Sequence, residues 1–497
     1  MKHWKFEPSL FSLVVKLIEI LMSLARCGAG LAPTLGEFAM KKTMPSGFVK
    51  RPMVIAISAL FLSLAAEAGV PGEPLGASFG VLAETAPRQR EPSVARDGAG
   101  NTVVVWVDGS TRTIFARRFA PDGAPLDSGF PVSAAIASTG VSGPDVAMNA
   151  SGRFVVTWRT FRTAFDENNL SFSIIELRAR VFAADGVAIT SELIVAPDSS
   201  RSVNPNDPAV AIDDDGDFVV AWQKTSRSLG LNFQVVAQRY NRVGAPQGSP
   251  IVAARSTLGN DIIERVDVAM DADGDFVLAW SESRFTGIGL GGSPYLPLPL
   301  PTIDPSFTTA SLYARRYNRL GTAVGLPQRL EVDTEARLGR FDNLVSAPAI
   351  AMNRNGESRV AWLRFRPGAA SQILTRGLDD RGRPQGLASV LSDDGQPDSA
   401  FTVNPAIAAT AAGGFVVSWE NASNEILARR VVSGGAPLGA TISVSGPSFP
   451  AELSEPDVAT DAAGNFVVIW ARDASVIAFP APPVFDGTIQ ARRYAGP

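Results

Sequence analysis

Seven copies of one motif, a fixed spacing inside each copy and a strand-like pattern on both sides of a tight turn predict an all-β chain. The fold class is a seven-bladed β-propeller of four-stranded antiparallel blades. The motif is clearest from Pro208, where PAVAIDDDGDFVVAWQ leads through a short spacer into VVAQRYNRVGAPQG. It returns at Pro92, Pro144, Val266, Pro348, Pro405 and Pro456. From the opening residue to a tryptophan the step is always 14, ending on Trp106, Trp158, Trp222, Trp280, Trp362, Trp419 and Trp470.

Each copy divides into four strands. Strand A is short, small and apolar, as in AVAI, and suits a position where blades converge on an axis. A D-x-x-G turn joins it to strand B, which makes the pair a hairpin. Strand B is apolar on both faces: Phe218, Val220 and Trp222 alternate with Val219 and Ala221, as in a strand covered on both sides. Strand C is the FARRF, YARRY or QARRY run, and strand D follows a turn such as NRVGAP. From the alanine of strand C to the glycine of that turn the step is 7, as from Ala116 to Gly123 and from Ala237 to Gly244.

The chain stops after strand C of the seventh copy, and a strand D is present at the other end. Residues 72–81, GEPLGASFGV, match 435–444, GAPLGATISV, the fourth strand of copy six. The N-terminal strand is therefore expected to complete the last blade and close the ring.

The stretch VDVAMDADGDFVLAW at Val266 to Trp280 and YARRYNRLG at Tyr313 to Gly321 resembles the exported bacterial repeat proteins of the V-A-M-D-x-x-G-D-F-V-V-x-W type. That resemblance implies a seven-bladed propeller and transfers no catalytic residue.

Residues 40–68 have the layout of a secretory leader: Lys41, Lys42, Lys50 and Arg51, an apolar run from Met53 to Ala66, and Ala66-Glu67-Ala68 as a cleavage site. Residues 1–39 upstream are read as a mis-called or disordered extension, and 69–497 as one propeller. Export to the periplasm or the medium follows, with no stable membrane insertion once the leader is removed. The only cysteine, Cys27, and the only histidine, His3, lie upstream of the cleavage site. The exported chain then lacks thiol and imidazole, which excludes Ser-His-Asp and Cys-His catalysis and histidine zinc sites. It holds 37 Lys and Arg against 45 Asp and Glu, with a single lysine, Lys224, so nucleic acid is not an expected partner.

The A–B and C–D turns, at one end of the disk, are constant in length, while the B–C and D–A loops at the other end vary. Variation on a repeated scaffold points to the variable end for function. Its largest feature is the insertion from Ser281 to Ser311, rich in glycine and proline, with Glu282, Arg284 and Tyr295 as candidate ligand contacts. Just before strand A comes a ring that leans acidic, from which Glu91, Asp207, Arg265, Asn404 and Glu455 are candidate binding residues. Asp207 and Arg265 are also readable as a plain ion pair between neighbouring blades.

Two repeated features read as scaffold. The arginines Arg117, Arg180, Arg239, Arg315, Arg376, Arg429 and Arg492 recur once per blade and are expected to make inter-blade hydrogen bonds. The tryptophans are expected in the core. The turns at Asp213, Asp215 and Asp217 and at Asp271, Asp273 and Asp275 have the composition of calcium loops, but Gly comes fourth where an EF-hand places it sixth. Calcium at these two turns is the single cofactor considered; otherwise none is expected. The leading expectation is a monomeric, non-enzymatic propeller that binds a protein or carbohydrate on its variable face. The alternative is a carbohydrate-active enzyme that uses carboxylates on that same face.

Overall fold

The computed structural model describes residues 70–496 apart from 83–87, 136–138, 166–167, 170, 197–202, 227–231, 257–260, 286–307, 334–347, 365–370, 393–404, 422, 447–451 and 477–483. Residues 1–69, with the leader and its upstream extension, lie outside the described residues.

Seven four-stranded antiparallel sheets follow one another along the chain. Blade three is representative: strand A is Val203–Ile212, B is Phe218–Ser226, C is Asn232–Tyr240 and D is Pro246–Arg255. In blade seven, A to C are Glu452–Thr460, Phe466–Val476 and Val484–Tyr494, and the fourth strand is Phe79–Gly80 from the N-terminal end. Phe79 pairs with Ala491 and Gly80 with Gln490, and the Val81 N–H donates to the Ile489 carbonyl at 2.9 Å. The ring is closed as the repeat register predicts.

Why the sequence repeats so strictly is visible in the core. Seven apolar clusters form, each from two neighbouring blades, so every seam is a small core of its own. The cluster across the closure, for example, joins Val467, Ile469 and Ile489 of blade seven to Val94, Val104 and Trp106 of blade one. A strand B residue faces a neighbour whichever way it points, which is why Val103, Val104 and Val105 are all buried. The seven tryptophans are buried as well. In blades two, three, four and seven strand B also begins with a phenylalanine that stacks on the aromatic ending strand C, with ring centroids 4.9 Å apart for Phe218 and Tyr240 and 4.8 Å for Phe466 and Tyr494.

The A–B turn takes one form in all seven blades. Its glycine sits at positive φ, as at Gly216 (91°), a conformation that L side chains resist. The Asp, Asn or Thr that immediately follows strand A stands three residues before it. In six blades this residue is Asp or Asn, and its side chain caps the turn where printed contacts show it: Asp271 Oδ1 accepts from the Asp273 and Asp275 N–H groups, and Asn149 Oδ1 from those of Ser151 and Arg153. Asp213 likewise accepts from the Asp217 N–H. Asparagine does the same work as aspartate, so the turn itself requires no charge. Of the two turns weighed for calcium, the second also has Asp271 Oδ2 held by the Arg316 guanidinium at 3.0 Å. Among the described residues no group of three or more His, Cys, Asp or Glu side chains is arranged to hold a metal ion.

The strand C arginines reach across the seams. Arg117, Arg180, Arg376, Arg429 and Arg492 each donate through Nη1 to a carbonyl of the preceding blade, those of Val81, Val132, Leu330, Leu391 and Val444. Arg239 is a correction to the sequence register. It stands one residue later than the others and reaches the Leu320 carbonyl of the following blade, while Gln238 occupies the repeat position in blade three.

Candidate functional site

Strand A carries a β-bulge at its start in blades one, two, three, four and seven, where the pairing register slips between Arg90 and Ser93, Ser142 and Asp145, Asn206 and Ala209, Ile263 and Val266, and Ser454 and Asp457. At three of these the bulge places a left-handed residue at the axial mouth: Glu91 (φ 53°), Gly143 (φ 55°) and Glu455 (φ 53°). For the two glutamates that conformation costs energy, which the surrounding contacts must hold in place. They do so in a chain. The Glu91 N–H donates to Glu455 Oε2 at 2.8 Å, and the Gly143 N–H donates to Glu91 Oε2 at 2.5 Å. Burial pushes the Glu455 carboxyl above its ordinary range, and the neighbouring Glu91 charge adds to the shift.

Below this mouth lies an axial cavity of 620 Å³, lined by the first residues of all seven A strands. The residue after each opening position is Ser93, Asp145, Ala209, Asp267, Ala349, Ala406 or Asp457. Three carboxylates and one hydroxyl therefore share a level of the ring, in blades two, four, seven and one. Each aspartate keeps some exposure because it faces the cavity, while protein surrounds it on its other sides.

The three are held alike. Each Oδ1 accepts from the N–H of the following residue, and each Oδ2 from an N–H of the next blade along the chain or round the closure. Asp145 takes Val146 (2.9 Å) and Val210 (2.8 Å). Asp267 takes Val268 (2.7 Å) and Ile350 (2.8 Å), and Asp457 takes Val458 (2.8 Å) and Val94 (2.8 Å). These bonds favour the charged form but do not overcome desolvation. Burial, then the nearby Asp145 charge, raises Asp267 to about 7. Burial is also the main cause that lifts Asp457 to about 6 and holds Asp145 above its ordinary range.

Ser93 ties two of them together. Its Oγ lies 3.2 Å from Asp145 Oδ1 and 3.1 Å from Asp457 Oδ2. A hydroxyl carries one proton, so it donates to only one carboxylate. The other contact becomes a hydrogen bond when that carboxyl is itself protonated and donates to Oγ. Ser93 thus sets one hydroxyl between two carboxyls that burial pushes above their ordinary range.

Of the residues singled out from the sequence, Glu91, Glu455 and Arg265 line this cavity. Arg265 is exposed at its rim. Asp207 falls in the bulged strand A of blade three and Arg284 near the end of strand B of blade four, with their side chains outside the described residues. Glu282 sits on that same strand B, opposite Ile263 and Ser311, away from the cavity lining. Asn404, Tyr295 and residues 286–307 of the insertion from Ser281 to Ser311 lie outside the described residues. Ser93, Asp145, Asp267 and Asp457 were missed by sequence reasoning. Their signal was present: three of seven openings read Pro-Asp or Val-Asp where the others read Pro-Ala or Pro-Ser, a polar residue inside an otherwise apolar strand.

Fold and site together define a seven-bladed β-propeller with a carboxylate-lined axial cavity. No protein-family model matches the chain, and no curated protein matches it. Similar solved structures include a protein of unknown function from Dyadobacter fermentans (11% identity, 82% of this chain and 99% of that one, TM-score 0.40). Others are an α-L-arabinanase from Penicillium chrysogenum (11%, 75% and 100%, TM-score 0.41) and a polysaccharide lyase acting as an ulvan lyase (9%, 84% and 94%, TM-score 0.44). The expectation of a non-enzymatic binder is corrected by this finding: the similar structures named for an activity are mostly glycan-acting enzymes, in line with the alternative. Likeness at this level does not extend to residues, so the chemistry must be argued from this chain alone.

Proposed function

We propose that this protein is a carbohydrate-active enzyme, a glycoside hydrolase whose reacting groups are the axial carboxylates Asp267, Asp145 and Asp457. The observation that carries this reading is the pairing of Asp267, raised to about 7, with a two-carboxyl cluster bridged by Ser93 around one cavity. Glycoside hydrolysis needs one carboxyl that keeps its proton and another that is charged, and differing environments supply that split.

In this mechanism Asp267 donates its proton to the leaving glycosidic oxygen as the bond to the anomeric carbon breaks. The Asp145–Ser93–Asp457 cluster, with one proton and one negative charge, faces the developing positive charge. Its charged carboxylate takes a proton from the attacking water as the water oxygen bonds to the anomeric carbon. No thiol or imidazole is required, in keeping with a chain that has neither between 69 and 497. The leader read at 40–68 and the likeness to exported repeat proteins support a substrate met outside the cytoplasm. Among the described residues no helix is long and apolar enough to cross a membrane.

The test is a hydrolysis screen of the purified chain on polysaccharides of differing sugar and linkage, repeated with Asp267→Asn. Turnover that the substitution lowers by about a hundredfold or more supports the reading, since general acid catalysis is worth that much. Absence of turnover on every substrate, or turnover indifferent to both Asp267→Asn and Asp457→Asn, overturns it.

A further inference from the structure

The axial clips leave one blade out. Each of the three aspartates accepts from two backbone N–H groups, so together they hold six: those of Val146 and Val210, Val268 and Ile350, and Val458 and Val94. These pairs join blades two and three, four and five, and seven and one. A ring of seven cannot be paired off completely, and the remainder is blade six, where Ala406 stands at the aspartate position. The N–H left over is that of Ile407, which stands opposite Val417 as Val94 stands opposite Val104. The adjoining turn fixes where it points. The Thr410 N–H donates to the Gly414 carbonyl at 2.8 Å, so by antiparallel alternation Ala408 and Ala406 bond to strand B, and Ile407 turns its N–H away from the sheet toward the axis. That N–H has no hydrogen-bond partner among the described residues.

Two further observations point to a ligand in front of it. The six residues whose N–H groups are held are buried, whereas Ile407 and its strand neighbours Ala406, Ala408 and Ala409 are only partly buried, and Ile407 lines the 620 Å³ cavity. The wall around this donor is also unlike the rest. Blades five and six contribute Pro348, Ala349, Ile350, Pro405, Ala406 and Ile407 to the described lining and no polar side chain, while the other blades bring five carboxyl groups and two arginines. That excess of carboxyls disfavours an anion in the cavity, so the acceptor that suits the donor is neutral. A single donor with apolar surroundings fits an acceptor that carries an apolar group with it. An acetamido group is such a pair, a carbonyl oxygen bonded to the carbon that bears a methyl.

We infer that the wall of blades five and six is a subsite for the acetamido group of an N-acetylated hexosamine, with the Ile407 N–H donating to its carbonyl oxygen and the prolines and alanines receiving its methyl. This rests on the glycan-acting reading above and narrows its substrate class.

NMR of the purified chain carrying isotopically labelled isoleucine, titrated with N-acetylglucosamine, N-acetylgalactosamine, glucose and galactose, tests this. The Ile407 amide signal should move with one or both acetylated sugars and stay in place with glucose and galactose. The Ile350 signal, whose N–H Asp267 already holds, should move less. The acetylated sugar should bind about tenfold or more tighter than its parent, the worth of one hydrogen bond and one buried methyl together. Ala406→Asn offers Ile407 the kind of acceptor that Asp145, Asp267 and Asp457 offer the residues after them. It should remove the preference for the acetylated sugar without lowering the melting temperature. An Ile407 signal indifferent to every sugar, which would leave the donor to water only, overturns the subsite. So does equal binding of glucose or galactose, or a preference that survives Ala406→Asn. The two readings fail separately: acetyl-selective binding without any turnover removes the hydrolase and keeps the subsite, and Asp267-dependent turnover without acetyl selectivity does the reverse.

Discussion

Asp145, Asp267 and Asp457 each do two jobs, and these make different predictions. As clips they join one blade to the next through a backbone N–H, and as acids they face a cavity. Replacing Asp267 by Asn removes the titrating proton and keeps an acceptor for the Ile350 N–H, but it turns an amide NH2 toward the Val268 N–H that Oδ1 accepts in the parent. Asp267→Asn should therefore fold but lose about 1 kcal/mol of stability with that hydrogen bond, while losing turnover, as read by calorimetry beside an activity assay. Ser93→Ala leaves Asp145 and Asp457 without their bridge. The acid-side limb of the pH profile should then shift, because the shared proton loses its second acceptor, and Ser93→Thr, which restores the hydroxyl, should restore it. A profile unchanged in Ser93→Ala would show that the serine only fills space.

Among the elements, the A–B hairpin is the unit that repeats most strictly, and its rigidity has a local cause. Gly216→Ala places a Cβ at φ 91°, 2.8 Å from the Arg153 side chain, and should destabilise the protein by about 1 kcal/mol or more in denaturant titrations. The same change at Gly446, where nothing lies within 4 Å but φ is also positive at 68°, separates backbone strain from crowding. This element was fully readable from sequence, since turn chemistry depends on neighbours two to four residues apart. The bulge at the start of strand A was not. Its left-handed Glu91 and Glu455 are set by contacts to other blades, and no local pattern announces a glutamate in that conformation.

For the molecule as a whole, closure and pH are linked to single features. Among the described residues Phe79–Gly80 is the one strand brought from the N-terminal end to the last blade, and it covers Val484–Tyr494, which otherwise presents an open edge. Deleting residues 70–82 should lower the melting temperature and promote self-association, measured by scanning calorimetry and light scattering. The buried carboxyls of Asp267, Asp457 and Asp213 hold protons up to about 7, about 6 and about 6. The unfolded chain has released those protons above pH ~4. Their contribution is therefore full below that pH and is lost as the pH rises through about 6 to 7, so the melting temperature should fall across this window. Asp267→Asn should flatten the fall.

The repeat determined the number of blades, the strand order within them, the burial of the tryptophans and the closing strand, because each follows from spacings and alternation within a few tens of residues. Only the tertiary structure decided which polar residues meet. Ser93 and Asp457 are 364 positions apart and come within 3.1 Å because the ring brings the first and last blades together. Proximity of that kind depends on closure around an axis, and no spacing within one repeat encodes it.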